Sequence, residues 1–180
     1  MQAMNLLILQ LGLSLAIGLL VGLERGWRER DTADGGRTAG IRTYGISGLF
    51  GGVVAALALS LNTPAILIAG LVTFAAVFAW YKAREAMQHK SFSVTSVVAG
   101  ISVFALGALA GVGDQHVAAA GGAALAAVLA SRDLLHELLK RISWIELRSA
   151  LVLVVMTAII LPLLPSRIID PWDGFNPQQI

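Results

Sequence analysis

The sequence predicts an all-α fold, a polytopic transmembrane helical bundle of about six spans with both termini outside. Three observations carry this expectation. The composition is 57% hydrophobic and only 13% charged, six apolar runs divide the chain, and the basic residues gather in alternate connections between those runs. A mean hydropathy of +0.77 exceeds what a soluble domain of this length sustains. The pI of 9.4 invites a nucleic-acid reading, but the net charge is only +2 and the basic residues form short clusters between apolar runs. Such clustering is the mark of membrane topology, so the expected partner is membrane lipid and not nucleic acid. The absence of cysteine excludes disulfides and thiolate metal sites.

The apolar runs cover residues 5–23, 41–61, 64–81, 94–112, 117–130 and 149–164. A helix rising ~1.5 Å per residue needs roughly 20 residues to cross a ~30 Å hydrocarbon layer, and the first four runs approach that length. The first is read as a retained span, because MQAMN offers no basic segment and the run leads straight into GLERGWRER without a small-residue cleavage site. The fifth is short for a span. Its continuation, SRDLLHELLKRI, places Leu134, Leu135, Leu138, Leu139 and Ile142 on one helical face. One continuous helix over 117–141 is therefore expected, with Asp133 turned toward the bundle where Arg25, Arg42 or Lys82 could meet it. The alternative is a break at Ser131 followed by a helix lying on the membrane surface.

Lysine and arginine set the expected orientation. Arg25, Arg28, Arg30, Arg37 and Arg42 follow the first run; Lys82, Arg84 and Lys90 follow the third; Arg132, Lys140, Arg141 and Arg148 follow the fifth. LNTP and GDQH, the connections after the second and fourth runs, carry none, and the tail has only Arg167. Twelve of thirteen basic residues thus fall near 24–40, 82–93 and 131–148, which the positive-inside rule makes cytoplasmic.

Small residues dominate the spans. Gly18 and Gly22 stand four apart on the first, Gly107 and Gly111 on the fourth, and Gly48, Gly51 and Gly52 line the second. Lipid gives helices no hydrophobic push toward one another, so close approach over small residues supplies their packing. Packing within the chain is the expected role; a seam between two copies, giving a homodimer, is the alternative. Phe74, Phe78, Trp80 and Tyr81 are expected as interface anchors near the cytoplasmic end of the third span.

In LLVGLERGWRER, residues 19–30, a carboxylate stands flush with the end of an apolar run. With the first span ending at Leu23 and the second starting at Ile41, Glu24, Arg25 and Arg42 share one depth. An ionisable group there is costly unless paired, and Arg42 reaching to Glu24 would satisfy both. Three roles stay open for Glu24: a solvated helix end, a structural latch with Arg42, and a ligand or proton site.

The segment GLLVGLER, Gly18 to Arg25, and then AGIRT, Ala39 to Thr43, resemble the N-terminal signature of the MgtC/SapB family of bacterial inner-membrane proteins. The later stretch HELLKRISWIELRSALVLVVMTAIILPLLPSRIIDPWDGFNP resembles the start of the uncharacterised domain that follows the signature in a longer branch of that family. The resemblance implies two domains, 1–130 of MgtC/SapB type and 131–180 beginning a second, truncated membrane domain. It also implies residence in the bacterial inner membrane and an association with magnesium limitation and stress adaptation. Glu24, Arg25, Arg42 and Thr43 are the charged and polar positions it brings forward. In the longer branch an acidic residue is expected after the threonine pair, where this chain has Thr95-Ser96-Val97.

Other chemistry finds little footing. Asp114 and His116 share one short outer connection, but two residues make no magnesium site. His89 and His136 lie in basic or amphipathic stretches suited to solvated or capping roles. DGGRTAG lacks the Gly-Lys-Ser/Thr of a nucleotide cradle, and no nucleophile and base are paired, so neither an enzyme nor a cofactor is expected. Two function classes remain. One is a regulatory or scaffolding membrane protein that contacts itself or other membrane proteins; the other is an ion or small-solute transporter or channel built as two three-helix halves.

Overall fold

The computed structural model describes residues 2–28, 30, 39–89, 94–160 and 163. Every regular element among them is helical: α1 (Gln2–Arg28), α2 (Ile41–Ser60), α3 (Ala65–His89), α4 (Thr95–Val112), α5 (Gln115–Ala130), α6 (Arg132–Arg141) and α7 (Trp144–Val155), with a π-helical turn at Met156–Ile160. The chain forms two compact units, Met1–Ser131 and Arg132–Ile180.

Among the described residues four helices are each long and apolar enough to cross a membrane: α1, α2, α3 and α4. The protein is a membrane protein of all-α type. The expected fifth span does not run unbroken to residue 141. α5 stops at Ala130, Ser131 is its C-cap, and α6 starts at Arg132. The Ser131 hydroxyl donates to the Val128 carbonyl at 2.9 Å and the Ser131 N–H to the Ala127 carbonyl at 2.9 Å, which satisfies carbonyls of the last turn of α5 where the helix ends. The sixth run falls on α7, the π-helical turn and residues outside those described.

In the first unit α1, α2 and α4 form the tightest contacts, and α5 and α3 pack around them. Glycine makes this closeness feasible. A Cβ on Gly18 would collide with the Tyr44 carbonyl, one on Gly107 with the Gly48 carbonyl, and one on Gly51 with the Phe104 carbonyl. Gly22 backs onto the Ile41 Cα, where a Cβ would stand 2.8 Å away, and Gly111 onto the Gly52 carbonyl, 2.9 Å away. A Cβ on Gly48 would strike the Ser14 carbonyl, so Gly48 is enclosed between α1 and α4. The glycines that the sequence brings forward at 18, 22, 48, 107 and 111 are thus all taken up by contacts inside the chain. Ser14, wholly buried, adds a polar tie: its hydroxyl lies 2.8 Å from the Gly107 carbonyl on α4 and 2.9 Å from the Gln10 carbonyl one turn back.

An aromatic series fills the space between α2, α3 and α4. Tyr44 meets Phe78 edge-on at 6.0 Å between centroids, Phe78 lies 5.4 Å from Phe74, and Phe74 stacks on Phe104 at 5.2 Å. Such pairs contribute roughly 0.5–1.5 kcal/mol each beyond their burial. This corrects one expectation: Phe78 is core, 5% exposed, while Trp80 and Tyr81 are exposed. The helical period explains the division, since Phe74 and Phe78 fall one turn apart on the face turned to the bundle and Trp80 lies on the far side.

The α2–α3 turn ends in a Schellman motif. Asn62 takes the left-handed conformation at φ 49, the Asn62 N–H donates to the Leu59 carbonyl, and the Thr63 N–H donates to the Ala58 carbonyl at 2.9 Å. Pro64 then precedes α3, where its missing N–H costs nothing.

Candidate functional site

One end of the first unit collects the buried charge. α1 and α3 finish there while α2 and α4 begin, as shown by Gly22 against Ile41, Tyr44 against Phe78, and the Tyr44 hydroxyl donating to the Ser96 carbonyl at 3.2 Å. A buried apolar cluster of Val21, Ala39, Tyr44, Phe78, Ala99, Val103 and Leu129 supports it from within.

Glu24 and Arg25 close α1. Ser14, Gly18, Val21 and Arg25 fall on one stripe of that helix, so the packing that buries Ser14 also carries Arg25 inward. The Arg25 side chain is only 8% exposed and that of Glu24 only 13%. Arg25 Nε lies 2.9 Å from Glu24 Oε2, and Arg28 Nε lies 3.8 Å from Glu24 Oε1. The 2.9 Å contact is electrostatic and misaligned, because Arg25 Nε and Glu24 Oε2 are both shielded and neither makes a hydrogen bond. Consecutive residues on a helix diverge by about 100°, which prevents their side chains from meeting head-on.

The latch inferred between Glu24 and Arg42 does not form. Glu24 is held by arginines of its own helix, and Arg42 is exposed in the first turn of α2. A glutamate has a partner one turn along its own helix at hand, whereas Arg42 stands at a solvent-facing position. Thr43 is half-buried, and its carbonyl accepts the Ser47 hydroxyl at 2.7 Å. Asp133 belongs to the second unit, exposed in the first turn of α6, where a carboxylate suits the positive helix end.

Lys82 and Glu85 join the site without having been singled out as a pair by any motif. Lys82 is 7% exposed, and its ammonium donates to both carboxylate oxygens of Glu85 at 3.0 Å. The available signal is the spacing: Phe74, Phe78 and Lys82 recur every four residues along α3, so Lys82 continues a core stripe while sitting in a basic segment. The site is therefore a set of short-range, partly buried pairs at one end of a glycine-packed bundle.

At the connection between α4 and α5, Asp114 caps α5 by accepting from the His116 and Val117 backbone N–H groups at 2.8 and 3.3 Å. These bonds, that from Val117 foremost, hold the Asp114 carboxyl below its ordinary range. In the second unit Ser143 and Glu146 make a reciprocal capping box at the start of α7, and the Ser143 backbone N–H lowers the Glu146 carboxyl likewise. Among the described residues no group of three or more histidine, aspartate or glutamate side chains is placed to hold a metal ion.

Neither curated proteins nor solved structures show a match to the chain. A family model does: that of the MgtC family matches residues 11–138, which takes in most of α1, all of α2 to α5 and much of α6. With that match spanning more than two thirds of the 180 residues, and with Glu24, Arg25 and the glycine-lined helices inside it, the chain belongs to the MgtC family.

Proposed function

We propose that the protein is a regulatory or scaffolding component of the bacterial inner membrane, tied to magnesium limitation and stress adaptation, that works through helix contacts with membrane partners. Family membership supports the class, and one structural observation favours it over a transporter. The centre of the first unit is closed by glycine-to-backbone contacts and small apolar side chains, with Val21, Val103, Ala110 and Ala118 fully buried. Its buried charges, Arg25 and Lys82, sit at one end and are matched by neighbouring carboxylates. Secondary transporters tend to place ionisable residues or broken helices near mid-membrane. In the middle of α1 to α4 the buried polar group is Ser14, whose hydroxyl is taken up by the Gly107 and Gln10 carbonyls, and the ionisable side chains of these helices lie toward their ends. Because Gly18, Gly22, Gly48, Gly107 and Gly111 are occupied within the chain, contact with a second copy or with other membrane proteins falls to outward faces such as that of α3 carrying Ile68 and Val72.

The orientation follows the basic residues: six spans, both termini outside, and the segments near 24–40, 82–93 and 131–148 in the cytoplasm. The absence of native cysteine makes labelling of Asp34→Cys in whole cells a clean check. Protection from an impermeant reagent is the expected result, and labelling from outside reverses the orientation. For the activity, liposomes carrying the full-length protein are expected to show the same cation flux as empty ones. A saturable flux above that background would establish the transporter reading instead.

A further inference from the structure

We propose that α6 is a membrane-surface helix, lying in the plane of the interface and gripping anionic phospholipid headgroups with arginines at both margins of its apolar face. The inference rests on the chain being a membrane protein and not on its regulatory or scaffolding role.

The first ground is where the helix begins. α5 is apolar from Val117 to its end, the helix is interrupted at Ser131, and α6 starts at the next residue. A polar helix following an apolar one at such a break starts at the level where hydrocarbon gives way to headgroups.

The second ground is the arrangement of side chains around α6. At about 100° per residue, Leu134, Leu135, Leu138, Leu139 and the following Ile142 occupy a continuous arc of roughly 140°. All four leucines are exposed: Leu134 72%, Leu135 45%, Leu138 51% and Leu139 59%. Arg132 borders that arc beside Leu139, and Arg141 borders it beside Leu134. Asp133, His136, Glu137 and Lys140 fill the opposite side. The acidic residues lie off the apolar face while two guanidinium groups flank it, a distribution suited to an anionic surface. Glu137 stands 3.8 Å from Arg141, an exposed and weak pair with which a headgroup phosphate would compete. Arginine can lay its stem along the acyl boundary and raise its head to a phosphate, which its planar fork meets bidentately.

The third ground lies just beyond the helix. Trp144 is 72% exposed and Ile145 76%, an aromatic and an aliphatic side chain at the point where interfacial anchors collect. A helix of this kind buries its apolar face about 5–10 Å into the headgroup boundary, and its affinity adds an electrostatic part from anionic lipid to the hydrophobic part.

The absence of native cysteine permits a direct test. Single cysteines at positions 133 to 141 of the full chain are spin-labelled in nanodiscs of phosphatidylcholine with phosphatidylglycerol, and accessibility to oxygen and to a water-soluble nickel complex is measured. Labels at 134, 135, 138 and 139 are expected to favour oxygen several-fold over labels at 133, 137 and 140, with a helical period. Equal accessibility on the two faces overturns the proposal. Shielding of the leucine face from both reagents also overturns it, since protein and not lipid would then cover that face. Removing phosphatidylglycerol, or introducing Arg132→Gln with Arg141→Gln, is expected to bring the leucine-face labels toward water. Unchanged depth in both conditions overturns the anionic headgroup as the ligand. Because nine positions are read, a label that disturbs folding at one of them leaves the pattern legible.

Discussion

A Cβ placed on Gly107 of α4 would run into the carbonyl oxygen of Gly48 on α2, so the two backbones touch where they cross. No rotamer can relieve such a contact, because the obstacle is main chain. Gly107→Ala should cost about 1–3 kcal/mol as the helices are forced apart, and Gly107→Val more. Gly12 is the internal control, because a methyl group there would meet nothing within 4 Å, so Gly12→Ala should leave stability unchanged or slightly raised. Thermal unfolding of the variants in detergent checks both. Equal melting temperatures for Gly107→Ala and the unmodified chain would refute the close crossing.

The Glu24 pairs lead to an ordering of variants. Glu24→Gln leaves Arg25, with 8% of its side chain exposed, beside no carboxylate from residue 24 and should destabilise by about 2–3 kcal/mol. Arg42 is exposed, and Arg42→Gln should stay within about 0.5 kcal/mol of the parent. The latch expected from sequence would make the two losses similar, so melting temperatures of the two variants decide between the arrangements.

Buried Lys82 and half-buried Glu85 form the second pair. Glu85→Gln should cost on the order of 2–3 kcal/mol, because a poorly solvated ammonium loses its nearest carboxylate. Adding Lys82→Met to that variant should recover part of the loss, since a lone desolvated charge is the costly state. A double variant less stable than Glu85→Gln would contradict this account.

Asp114 gives a signed pH dependence. Its carboxyl is held below its ordinary range by the Val117 and His116 N–H groups, so the unfolded chain takes up a proton at higher pH than the folded one does. Its contribution is therefore complete above the ordinary carboxylate range and fades as pH falls toward the folded value. Asp114→Asn keeps a capping side chain without the charge and should flatten that acid limb, whereas Asp114→Ala should lower stability across the neutral range as well. Melting temperature against pH for the three proteins is the measurement.

By itself the sequence determined the membrane class, the helical class and four helices long and apolar enough to cross a membrane, because these follow from local apolar length and from the period of the backbone. It also singled out the glycines and the Glu-Arg segment, since small residues and a charge at the end of an apolar run are visible without a fold. Tertiary structure decided which surfaces those residues meet. Gly18, Gly48 and Gly107 are internal because α1, α2 and α4 cross there, and Phe78 and Lys82 are buried because α3 turns that stripe toward the bundle. It also decided Glu24's partners. A side chain on a helix always has neighbours one turn away, and whether a residue on another helix can compete depends on crossing geometry and exposure, which left Arg42 outside the pair. At Ser131 α5 ends with the serine hydroxyl on the Val128 carbonyl, a local cap that the apolar period of the flanking segments does not register.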